Sequence, residues 1–174
     1  RFFGGWDLSN DMCKGEDFAE AGYAKGVPMG GDLPARDDDD GDPRFAVWAL
    51  QDPGTDGAPG TPLQRIQIVK GWVEEGEMKE EVYDVAGKKN RASVDIPTCE
   101  PKGDGHAQLC SVWRDRDFEP DQNAFYYARV VENPTCRWSQ HLCVDAGVDC
   151  ANPESIPPGY EACCSEKHDP VIQE

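Results

Sequence analysis

Cysteine placement constrains this chain more than any other feature. Eight cysteines occur in 174 residues, and five of them (Cys136, Cys143, Cys150, Cys163 and Cys164) crowd into one short stretch. The others are Cys13, Cys99 and Cys110. Zinc sites set their cysteines in pairs about two to four residues apart. Here six residues separate Cys136 from Cys143 and again Cys143 from Cys150, Cys163 and Cys164 are vicinal, and no Cys-x-x-Cys occurs. The spacing favours disulfides over zinc. Disulfides persist in oxidising compartments, so a periplasmic or extracellular location is expected.

A chain of this length buries roughly 70% of its unfolded surface and can fold without staples. Clustered cysteines therefore mark a local need, in a segment with little core of its own. Asp and Glu total 34 against 17 Lys and Arg, a formal net charge of −17. That balance argues against nucleic acid and anionic membranes as partners, because phosphates need compensating cations. No apolar run approaches the ~18 residues of a membrane span. The opening Arg1-Phe2-Phe3 runs at once into Gly4-Gly5, so no signal peptide is read, and the missing initiator Met predicts a processed or truncated start.

Strand signals recur along the chain. Residues 63–73 alternate, with Ile66 and Ile68 on one face, and residues 78–85 read as the return strand of a hairpin turning at residues 74–77. Short strands are read at residues 44–50, 92–98 and 108–113, and the strongest at residues 124–132. A weak helical period surrounds Phe18, Ala21 and Tyr23. Residues 52–62 carry three Pro and three Gly and form a long loop. The fold class expected is mainly β: an antiparallel, immunoglobulin-like sandwich with long loops over residues 1–132, followed by a disulfide-pinned irregular tail over residues 133–174, packed on it. Val47, Ile66, Ile68, Val82, Phe125 and Tyr127 are expected in a common core. Tyr126 and Tyr127 must point to opposite faces, and the inward ring could make a corner hydrogen bond.

Few residues suggest chemistry. His106, His141 and His168 lie in polar or turn segments and read as surface. Cys136 and His141 could form a nucleophile–base pair, but the neighbouring cysteines favour a disulfide for Cys136. The run Arg36 to Pro43 reads as a solvated acidic loop, mobile and without a bound ion at residues 37–40. Asp38, Asp40 and Asp42 alternate and are weak calcium candidates, though no distal bidentate ligand is evident. Asp115, Asp117 and Asp121, interleaved with Arg114 and Arg116, read as surface ion pairs. The five tryptophans mostly read as core. Cys99 and Cys110 flank a turn between two strand signals, so a hairpin would set them opposite each other and a Cys99–Cys110 disulfide is expected. The remaining six cysteines allow 15 pairings, and vicinal Cys163 and Cys164 should reach separate partners. No catalytic residue and no cofactor site is read in the chain.

Several blocks resemble a known family. They are Arg1-Phe2-Phe3-Gly4-Gly5-Trp6, the stretch Gly22 to Leu33, Arg65-Ile66-Gln67-Ile68-Val69-Lys70-Gly71-Trp72, Val82-Tyr83-Asp84-Val85, Phe125-Tyr126-Tyr127-Ala128-Arg129-Val130 and Glu132-Asn133-Pro134-Thr135-Cys136-Arg137-Trp138. They are similar to the C-terminal part of DUF3604 proteins. The resemblance implies an exported protein of several hundred residues with an N-terminal PHP-like, divalent-metal hydrolase region, none of whose metal motifs lies in this chain. The expected role is a non-catalytic accessory sandwich, its partner that hydrolase-like region or another subunit. The alternative is a secreted, disulfide-rich binding or structural subunit on a larger assembly.

Overall fold

The computed structural model describes residues 1–37 and 41–173. In chain order the strands are β1 (Phe2–Gly5), β2 (Val27–Pro28), β3 (Arg44–Leu50), β4 (Leu63–Glu74), β5 (Glu77–Gly87), β6 (Ser93–Asp95), β7 (Glu100–Lys102), β8 (Gln108–Arg114), β9 (Ala124–Glu132), β10 (Thr135–Cys136) and β11 (Val171–Ile172). Two short helices, α1 (Phe18–Lys25) and α2 (Trp138–Asp145), join them. The fold is mainly β and its sheets are antiparallel, as the alternation predicts.

Two compact units make up the chain. The first comprises Arg1–Gln51, Leu63–Lys89 and His106–Val131. It holds one sheet in the order β2-β1-β3-β8 and another in the order β5-β4-β9. Phe2, Phe45, Val47 and Leu109 from the first sheet share a core with Leu63, Ile66 and Ile68 from the second. A smaller cluster of Phe3, Leu8, Met12, Phe18 and Ala46 lies on the far face of the first sheet, beneath α1. β4 and β5 form a long hairpin whose two turn residues, Glu75 (φ 53°) and Gly76 (φ 82°), are both left-handed, the type I′ geometry that matches strand twist.

Val47, Ile66 and Ile68 are buried as expected; Val82, Phe125 and Tyr127 are not in that core. In β5 the pairing jumps from Ile66↔Ala86 to Gln67↔Asp84, so Val85 is an extra residue. The bulge resets the alternation, and Tyr83 rather than Val82 faces inward. In β9 the residues packed on the core are Tyr126, Ala128 and Val130. Tyr126 wins the inward place because its ring lies 4.2 Å from that of Phe45 and its hydroxyl finds Asp115. Phe125 lies instead over Gly71, where no side chain competes, and stays 51% exposed.

The second unit comprises Asp52–Pro62, Asn90–Gly105 and Glu132–Glu174. Two internal segments, Asp52–Pro62 and Asn90–Gly105, thus group with the C-terminal residues. This unit is built on buried amide side chains and disulfides. The Nδ2 of Asn133 donates to the Asp104 carbonyl at 3.3 Å and its Oδ1 accepts from Asn90 at 2.9 Å. Gln140 bridges the Ile96 carbonyl and His168 at 3.0 and 2.8 Å.

All eight cysteines are paired, as Cys13–Cys110, Cys99–Cys136, Cys143–Cys163 and Cys150–Cys164. The expected Cys99–Cys110 bridge is therefore wrong. The hairpin from β6 closes onto β7, with Cys99 in its turn at φ 58°. β8 instead pairs with β3, which sets Cys110 opposite Trp48 and within reach of Cys13. Cys163 and Cys164 do reach separate partners.

Candidate functional site

The centre of the first unit holds a buried ion pair. Lys70 lies in β4 on the same face as Ile66 and Ile68, and its side chain is 3% exposed. A charge there must be matched, because an uncompensated buried charge costs several kcal/mol. Asp115, just past β8, is fully buried and its Oδ2 lies 2.8 Å from the Lys70 ammonium. The Asp117 carbonyl accepts a second hydrogen bond from Lys70 at 2.8 Å. The rings of Trp72 and Tyr126 lie 5.7 and 5.9 Å from the same nitrogen.

Asp115 is saturated as well. The Tyr126 hydroxyl donates to its Oδ2 at 2.6 Å and the Asp117 N–H donates to its Oδ1 at 3.0 Å. Burial, and then the hydrogen bond and charge of Asp115, push the Tyr126 hydroxyl far above the ordinary phenol range. Tyr83 is pushed up in the same way by desolvation and its bond to Glu81. A phenol locked in its neutral form and a carboxylate with both oxygens engaged hold the turn after β8 against β4 and β9. Asp115 is thus no surface charge, which corrects the sequence reading. The signal was present: Lys70 falls on the core face of an alternating strand.

Above this network a cleft of about 480 Å³ opens between β1–β2 and the start of β9. Its lining sets Phe2, Trp6, Phe45, Phe118 and Phe125 beside the polar Asp32, Gln122 and Asn123 and is as polar as it is apolar. Trp6 is fixed by a hydrogen bond from Nε1 to the Pro34 carbonyl at 3.1 Å and by an edge contact with Phe118 at 5.6 Å. The glycine-rich turn after β2, with Gly30 at φ +91°, folds residues 29–34 over the rim.

The other sequence candidates scatter. Asp38 and Asp40 lie outside the described residues, and Asp42 is held by Arg114 at 2.7 Å. Cys136 is bonded to Cys99 and so is no nucleophile. His106 bridges Leu63 through its backbone, His141 is exposed on α2, and His168 is bonded to Gln140. Trp138, one of the five tryptophans of which most read as core, is 77% exposed. Among the described residues no group of three His, Cys, Asp or Glu side chains is placed to hold a metal. No helix among them is long and apolar enough to cross a membrane. Four disulfides are the mark of folding in an oxidising compartment.

A family model described as a protein of unknown function, DUF3604, matches residues 1–158. The chain belongs to the DUF3604 family. The match takes in the cleft, Lys70, Asp115 and Tyr126, and ends before Cys163 and Cys164, whose partners Cys143 and Cys150 lie inside it. No curated protein and no solved structure matches the chain.

Proposed function

We propose that this DUF3604 chain is a non-catalytic accessory β-sandwich of an exported metal-dependent hydrolase of unassigned substrate, acting in the periplasm or outside the cell. One observation carries the reading: the charged network buried in the core and the cysteines are committed to structure. Lys70, Asp115 and Tyr126 satisfy one another in the core, and the cysteines are all in disulfides. The resemblance of the chain to the C-terminal part of its family supplies the hydrolase context. The test is an assay of the isolated chain for phosphoesterase and amidohydrolase turnover with Mn²⁺ or Zn²⁺. No turnover is expected, and turnover would overturn the proposal.

A second reading, a secreted disulfide-rich subunit that docks on a larger assembly, draws on the density of disulfides in the second unit. Intact mass from the native source separates the two. A polypeptide of several hundred residues supports the first, and one of about the mass of these 174 residues supports the second.

A further inference from the structure

Three side chains with hydrogen-bonding capacity to spare meet in the cleft of the first unit. Asp32 comes from the glycine-rich turn after β2, and Gln122 and Asn123 come from the turn that enters β9. None of the three has a side-chain hydrogen bond or ion pair among the described residues. The aromatic groups around them are in the opposite condition. The Trp6 indole N–H is taken by the Pro34 carbonyl and the Tyr126 hydroxyl by Asp115, so each offers the cleft only its ring. Phe118 is set edge-on to Trp6, with the ring planes 67° apart. Phe125 lies against Gly71 and is 51% exposed.

These features exclude most classes of occupant. A hydrocarbon would leave Asp32, Gln122 and Asn123 desolvated and unpaired. A phosphate, sulfate or carboxylate finds no Lys or Arg in the lining and meets Asp32 instead. A quaternary ammonium suits the rings and one carboxylate but leaves both amides unused. What fits all of the lining is a neutral molecule with an apolar face and a rim of hydroxyls, which describes a pyranose sugar. The C–H bonds on one face of such a ring lie against the negative face of an aromatic ring. The hydroxyls at its edge donate to Asp32 and exchange hydrogen bonds with the two amides, each of which both donates and accepts. A cleft of about 480 Å³ is of the size of small-ligand sites.

We infer that this cleft binds a neutral saccharide, with Asp32, Gln122 and Asn123 holding its hydroxyls and Trp6 and Phe125 packing on its ring. The inference goes beyond the accessory reading and rests on the cleft alone.

The probes are cellobiose, maltose, lactose, mannobiose and xylobiose, neutral disaccharides that differ in linkage and hydroxyl configuration. Each is titrated to about 20 mM into the intact, disulfide-bonded chain. The Trp6 indole resonance, identified by its absence from Trp6→Phe, reports on the cleft by NMR. At least one disaccharide should shift it saturably, with a Kd of about 1 mM, and saturation of the aromatic protons should pass to the protons of the bound sugar. Gln122→Ala, Asn123→Ala and Asp32→Asn remove side-chain groups that hold nothing else in the fold, and each should weaken binding by about tenfold. Three results overturn the inference: no shift with any of the disaccharides, equal affinity in all three variants, or tighter binding of choline chloride or cyclohexanol than of every disaccharide. Choline would identify an aromatic cage for a cation, and cyclohexanol a merely apolar pocket. Turnover by the isolated chain would sink the accessory reading and leave this result standing.

Discussion

At the scale of single residues the first unit is decided by one lysine in the wrong kind of place. Lys70 occupies a core-facing position, and only Asp115, the Asp117 carbonyl and two aromatic rings make that tolerable. Replacing Lys70 with Met should destabilise the protein by about 3–5 kcal/mol, because Asp115 is left buried and unpaired. Adding Asp115→Leu should recover most of the loss, and denaturant midpoints of the single and double variants measure both effects. The tyrosines give the pH dependence. Tyr126 and Tyr83 have hydroxyls raised above their unfolded value of about 10. A raised group stabilises the fold below its unfolded pKa, and that contribution is lost as pH rises toward the folded value. Tyrosinate absorbance from these two should therefore appear together with loss of structure, at a pH above 10, and Tyr126→Phe should delay the alkaline transition relative to its own neutral-pH stability.

Among the elements, the β4–β5 hairpin was legible because its apolar period and its Glu-Gly turn agree on one register. What escaped was the bulge at Val85, since an inserted residue leaves no mark on composition yet flips every side chain beyond it. The cysteines escaped for a related reason. Residues 92–98 read as one short strand facing β8, whereas the chain turns after β6 and pairs back on β7 within four residues, and the non-local pairing of β8 with β3 has no local signature. The cleft was invisible in the sequence because residues from β1, β2 and β9 meet there through sheet topology alone. Glu75, a non-glycine residue at φ 53°, is a correctable cost in the turn. Glu75→Asn, suited to the first position of a type I′ turn, should raise stability by about 0.5–1 kcal/mol in thermal unfolding, with no change in the spectrum of the folded state.

For the whole molecule, a formal net charge of −17 sets the energetics of compaction. Gathering that charge into a folded body costs self-repulsion, which salt screens over a distance of about 10 Å at 0.1 M. The melting temperature should rise steadily from low to high NaCl concentration, and a flat or falling profile would show that local ion pairs outweigh the overall field. Covalent topology acts at the same scale. Cys13–Cys110 encloses the exposed loop Asp52–Pro62 inside its ring. A protease that nicks this loop leaves two polypeptides that cannot diffuse apart, one carrying Cys13 and the other Cys110. The nicked species would migrate as a single chain until thiol is added and then separate into two bands, so cleavage in an oxidising environment goes unseen by size while the fold loses only the entropy advantage of an unbroken connection.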